Sequence, residues 1–128
     1  MILAVALGSA LGGVARLLVG AAVQQRVGPG FPGATLVINI TGSLVLGFLM
    51  RFALASPAIS PEMRGFLTTG LCGGYTTFST FTFETMTLIN DGELGRAGAY
   101  VAASVALALV GVYLGAAAAG GLIALRQR

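Results

Sequence analysis

The sequence predicts an all-α integral membrane protein with four transmembrane helices, the third of them broken, and three observations point there. Of the 128 residues 56% are hydrophobic and only 9% charged, whereas an ordinary soluble domain is about 25% charged. Four apolar stretches, each about the 20 residues that a bilayer crossing needs, are separated by turn-forming residues, and mean hydropathy over the chain is +0.94. The third stretch holds Gly70-Leu71-Cys72-Gly73-Gly74-Tyr75-Thr76-Thr77-Phe78-Ser79-Thr80-Phe81-Thr82-Phe83-Glu84. Glycines, hydroxyls and a carboxylate inside hydrocarbon are tolerated only where protein or a polar cavity surrounds them. Broken membrane helices are also where transporters hold ions.

Helix 1 is expected over about 2–23, helix 2 over 35–55, helix 3 over 63–89 with a break near Gly73 to Thr77, and helix 4 over 96–125, all within one domain spanning 1–128. The punctuation follows the usual turn chemistry: Gly28-Pro29-Gly30-Phe31-Pro32-Gly33, then Ser56-Pro57 through Ser60-Pro61, then Asn90-Asp91-Gly92-Glu93. Helix 1 has no basic residues ahead of its apolar core, and its one charge, Arg16, lies inside the span, so it reads as a retained helix and not a signal peptide. Small residues recur four apart at Gly8 and Gly12, Ser43 and Gly47, and Gly111 and Gly115, the spacing that lets membrane helices approach closely.

Net charge is +3, from seven arginines and no lysine, scattered so that the sequence shows no polybasic patch for nucleic acid or anionic lipid; nucleic-acid binding is set aside. Four crossings place Arg51, Arg64, Arg126 and Arg128 on the side of both termini and Arg26 and Arg96 on the other. This is a small margin for the positive-inside rule and suits insertion in both orientations. A single cysteine, Cys72, excludes an intrachain disulfide, and the lack of histidine removes the commonest transition-metal ligand. No nucleophile–base pair is present either, so no enzyme is expected. A chain this short cannot enclose a wide pore alone, which favours an oligomer.

Several polar groups fall inside the spans. Arg16 would cost roughly 2.5–3.5 kcal/mol at a helix centre, so it must face protein or water, either attracting anions at a pore mouth or bracing a neighbouring loop. Thr35, Asn39 and Ser43 share one face of helix 2; Asn39 is the one amide in the core of any span and is the candidate for function, the two hydroxyls for interhelical bonding. Phe78 and Phe81, three apart, share a face, and aromatic edges carry the positive part of the ring quadrupole and so can meet an anion. Glu84, a turn further on, reads as a proton site, a gate, or the end of the span. Tyr100 and Ser104 are a turn apart on helix 4, within reach of the Phe pair.

Together these residues resemble the Fluc fluoride-channel family, the CrcB-like proteins. The likeness runs through Gly12-Gly13-Val14-Ala15-Arg16, Val37-Ile38-Asn39-Ile40-Thr41-Gly42 and, above all, Gly73-Gly74-Tyr75-Thr76-Thr77-Phe78-Ser79-Thr80-Phe81 with Glu84-Thr85. The resemblance implies a passive, fluoride-selective channel that expels fluoride across the cell membrane, built as an antiparallel dual-topology homodimer in the lipid bilayer with two pores. It implies a pore formed by Asn39, Phe78, Ser79, Thr80, Phe81 and Ser104, a vestibule or pore-associated set of Arg16, Glu84 and Tyr100, and one structural sodium ion at the dimer centre, held by backbone carbonyls of Gly73 and Thr76. The chain departs from the family at Ala108, where the polar track continues elsewhere with Ser or Thr; either another group, such as Thr82 or a water, fills in, or the track matters less than the Phe pair. Small hydrated fluoride needs amide and hydroxyl donors at close range, as selectivity filters generally provide. Two rivals are a small multidrug-type exporter, which would need an acid in helix 1 where this chain has Arg16, and a noncatalytic membrane subunit.

Overall fold

The computed structural model describes residues 1–28 and 30–126; Pro29 of the first turn and Arg128 of the sidedness count lie outside the described residues. Among the described residues the chain is all helix and turn, without a strand. Helix α1 covers Ile2–Val27 and α2 Gly33–Ala55; a short α3, Pro61–Gly65, leads through a wide π-helical stretch, Phe66–Cys72, into α4, Gly73–Tyr75; α5 covers Phe78–Asn90 and α6 Leu94–Arg126. Three helices, α1, α2 and α6, are each long and apolar enough to cross a membrane.

The ends explain themselves locally. Helix α1 runs past the expected residue 23 because Gln24, Gln25 and Arg26 prolong it. It stops at Gly28, whose φ of 78° only glycine adopts readily, with the Gly28 N–H on the Gln24 carbonyl. Ser60 caps α3, its hydroxyl accepting from the Met63 N–H, with Pro61 at the first helical position.

The expected break from Gly73 to Thr77 is narrower in the structure. Gly73–Tyr75 keep helical geometry, and only Thr76 and Thr77 are extended, at φ −79°, ψ 159° and φ −149°, ψ 115°. The two glycines therefore do not open the chain. They admit a neighbour: a side chain at Gly74 would collide with the Ser9 backbone of α1, and one at Gly12 with the Tyr75 N–H. Helices α2 and α6 meet in the same way, Gly47 lying on the Val112 carbonyl and Gly115 on the Leu44 carbonyl, so each backbone seats in the other's glycine notch.

Candidate functional site

The interruption at Thr76–Thr77 sits where α1, α2 and α6 all reach it. A helix that breaks inside an apolar fold strands backbone groups, and side chains recover them here. Asn39 of α2 closes a two-bond clamp: its Nδ2 donates to the Thr77 carbonyl at 3.0 Å and its Oδ1 accepts from the Thr77 N–H at 2.8 Å. Arg16 of α1 points its Nη1 at the Thr76 carbonyl, 3.5 Å away. Thr77 then caps α5, its hydroxyl accepting from the Thr80 N–H at 3.2 Å and donating to the Thr80 hydroxyl at 2.9 Å. Of the two readings left open for Arg16, bracing is the contact the structure contains.

One consequence concerns the two carbonyls expected to hold sodium. In an uninterrupted helix the Gly73 carbonyl would accept from the Thr77 N–H and the Thr76 carbonyl from the Thr80 N–H. Those donors are instead taken by the Asn39 side chain and the Thr77 hydroxyl. The Gly73 and Thr76 carbonyls thereby lose their helical donors, and the Thr76 oxygen takes Arg16 Nη1 at 3.5 Å with its second lone pair to spare; backbone oxygen is the hard-oxygen chemistry a small cation takes. No group of three or more acidic, histidine or cysteine side chains competes for that role among the described residues.

Beside the interruption runs a groove of about 370 Å³ lined by Asn39, Thr77, Phe78, Phe81 and Ser104, among others. Phe81 is buried whereas Phe78 is 75% exposed, the two ring centroids 5.4 Å apart and tilted by 46°. Tyr100 stands 5.2 Å behind Phe81, tilted by 53°, and Phe31 meets the Tyr100 ring edge-on at 5.6 Å. Buried Ser104 has no hydrogen-bond partner for its hydroxyl. An orphaned hydroxyl in a dry setting is costly, on the order of 1–3 kcal/mol, and this one belongs to a residue of the groove wall. Ala108 and Val112 continue the lining along α6 at four-residue steps, so the position where the family pattern has a hydroxyl does face the groove. Thr82 does not fill that gap: it is exposed and donates to the Ser79 carbonyl of its own helix at 2.9 Å.

The remaining expected residues divide. Arg16, Thr35, Thr77 and Thr80 line a second cavity of about 540 Å³ on the other side of the interruption, so Thr77 borders both spaces. Ser79 is exposed and lines neither, its hydroxyl 3.2 Å from that of Thr77. Glu84 lines a third, more polar cavity of about 410 Å³ with Gln24, Thr87, Asp91 and Arg96. Its two oxygens are both occupied, Oε1 by the Thr35 hydroxyl at 2.8 Å and Oε2 by the Tyr100 hydroxyl at 2.7 Å. Tyr100 is wholly buried and does not sit at an interface with solvent or lipid.

One participant is not singled out by the sequence: Thr77 is the residue on which Asn39, Ser79 and Thr80 all converge, and a threonine directly before a resumed helix is the signal that marks an N-cap. Thr35 makes the interhelical bond expected of it, and its partner is the one carboxylate of the third stretch.

A family model described as "CrcB-like protein, Camphor Resistance (CrcB)" matches residues 3–116. Curated relatives named "Fluoride-specific ion channel FluC" are similar over nearly their whole length. The one from Rhizobium meliloti is 48% identical over 116 residues, covering 91% of this chain and 93% of the relative. The one from Geobacter sulfurreducens is 47% identical over 118 residues, covering 92% and 95%. A third, "Fluoride-specific ion channel FluC 1" of Nitrobacter hamburgensis, is 50% identical over 108 residues, covering 84% and 86%. With its long apolar helices and this match over most of its length, the chain is a multi-pass membrane protein that belongs to the CrcB-like family.

Proposed function

We propose that the protein is a fluoride-selective channel that releases fluoride passively across the membrane, and not an enzyme. One observation carries the reading: a single groove beside an interrupted membrane helix is lined by residues that bring an amide, an unpartnered buried hydroxyl and two aromatic rings. Fluoride is small and tightly hydrated, so a path must offer donors at close range in place of water. Ser104 supplies an O–H that no protein group uses, Asn39 keeps one amide N–H beyond the one on Thr77, and Phe78 and Phe81 supply positive ring edges. Larger anions gain less from such donors and fit the space between rings worse.

In the same reading the segment from residue 61 to 90 is the broken third of four spans, and the working unit is an antiparallel homodimer with dual topology. The exposure of Phe78 supports this, because a lone protomer leaves the groove open on the Phe78 side and a second copy would close it. The Gly73 and Thr76 carbonyls, both without their helical donors, would hold a structural sodium ion; bound, it would supply fixed positive charge at the dimer centre.

The deciding experiment is ion efflux from liposomes holding the purified protein, with fluoride and chloride read by selective electrodes at a clamped voltage. Fluoride release without chloride is expected, and its loss in Phe81→Ile with the assembly intact. Absence of fluoride release from correctly assembled protein would return the chain to the class of noncatalytic membrane subunits.

A further inference from the structure

The two ends of the molecule differ in charge in a way that the channel reading does not use. At the end carrying Asp91 and Glu93, two arginines, Arg26 and Arg96, stand against two carboxylates, and Arg96 spends its guanidinium on Glu93 at 2.6 Å and on the Gly30 carbonyl. At the other end Arg51, Arg64 and Arg126 face a single acid, Glu62. Among the described residues none of these three arginines makes an ion pair.

All three belong to or reach the last turns of α2, at residues 51 to 53. The guanidinium of Arg51 lies against Gly120 of α6, with Nη2, Cζ and Nε all within 4 Å of where a Cβ would stand. That of Arg126 lies over the Phe52 ring, Cζ 5.4 Å from its centroid. Arg64 donates from Nη2 to the Ala53 carbonyl at 2.9 Å, and its Nε is buried without a partner. Helix-end compensation accounts for the Arg64 bond, since cations favour a helix C-terminus. Arg126 also stands in the last turn of α6, yet it and Arg51 are exposed and hydrogen-bond no carbonyl among the described residues, the one over the Phe52 ring and the other against Gly120. Without such bonds each fork is available for a bidentate phosphate.

We infer that this end of the α2–α6 pair is a binding site for the phosphate-bearing headgroup of an anionic phospholipid. Charge complementarity commits the site to a phosphate, and its place commits it to a lipid. The three side chains sit where spans of this length leave the hydrocarbon, beside exposed Leu54 and Leu125, which offer surface for acyl chains.

The test is native mass spectrometry of the full, detergent-solubilised protein titrated with phosphatidylglycerol or phosphatidylcholine. Retention of phosphatidylglycerol over phosphatidylcholine is expected, falling about fivefold for each of Arg51→Gln and Arg126→Gln, the effect of one basic residue near an anionic surface, with no change in Arg26→Gln at the other end. The exposed single sites avoid disturbing Arg64, and Arg51→Lys should keep part of the retention. Equal retention of both lipids, retention unaffected by either glutamine, or an equal loss in Arg26→Gln would each overturn the site. Displacement by millimolar inorganic phosphate would overturn the lipid as its occupant.

Discussion

Along the middle of the α2–α6 seam the chain is held backbone to backbone, Gly47 on the Val112 carbonyl and Gly115 on the Leu44 carbonyl. At Thr76–Thr77 it is held by side chain to backbone, Asn39 and Arg16 answering the groups that the broken helix strands. The difference teaches how a small membrane protein keeps an ion path without losing its fold. Close packing of small residues needs no polar groups and fixes the distance between helices, whereas an interruption needs polar groups and thereby exposes some of them. The seam gives rigidity and the interruption gives chemistry, and α2 serves both, presenting Gly47 to α6 and Asn39 to Thr77.

The comparison breaks most severely at the seam. A leucine at Gly47 or Gly115 would drive Cβ into a backbone carbonyl that has no rotamer to escape by, and overpacking costs about 1–3 kcal/mol even where neighbours can shift. Gly115→Leu is expected to yield no folded protein on size-exclusion chromatography. A monodisperse, heat-stable Gly115→Leu would show that the helices are not closed at this point.

Removal of the clamp should cost less fold and more function. Asn39→Ala leaves the Thr77 N–H and carbonyl without partners in a part-buried setting, each on the order of 1–3 kcal/mol. The expected outcome is a folded but less stable protein with fluoride efflux reduced at least a hundredfold. Asn39→Asp, which keeps the acceptor for the Thr77 N–H and loses the donor, should retain more stability than Asn39→Ala without recovering efflux. Efflux near the original rate in either variant would confine Asn39 to a structural part.

Thr77→Val tests the cap alone. Losing a threonine cap costs about 1 kcal/mol, so the unfolding midpoint should fall by several degrees while Thr77→Ser stays close to the original. Should Thr77→Val match the original in both stability and efflux, the hydroxyl cluster with Ser79 and Thr80 would be incidental to the interruption.

The contrast also explains which parts were legible in the sequence. The long helices were, because lipid imposes length and apolarity that any composition window detects; only their ends moved, α1 extending to Val27 since polar Gln24 to Arg26 remain good helix formers. The interruption was legible as a neighbourhood and displaced in detail. The expected break spans Gly73 to Thr77, and the structure opens only its threonine end, Thr76 and Thr77, while Gly74 admits α1. Pairings between distant helices were out of reach of spacing: nothing local tells that Arg16 faces the Thr76 carbonyl, or that Thr35 and Tyr100 share Glu84. The groove itself was legible residue by residue at Asn39, Phe78, Phe81 and Ser104, but Ser79 and Thr80, adjacent in the string, turn elsewhere because a resumed helix spreads consecutive side chains around its axis.

The smallest expected effect is also the most discriminating, because it separates a hydroxyl kept for an ion from one kept for packing. Ser104 is buried and its oxygen has no partner; a packing hydroxyl would be bonded, and its loss would destabilise by about 0.6 kcal/mol, the average for membrane hydrogen bonds. Ser104→Ala removes a cost that the folded protein bears, so its unfolding midpoint should stay level or rise while fluoride efflux falls. Ala108→Ser adds a hydroxyl a turn further along the same face, and by the same scale should raise efflux by no more than about threefold. A fall in stability with unchanged efflux in Ser104→Ala would place that residue with the seam and leave the aromatic pair and Asn39 as the whole of the path.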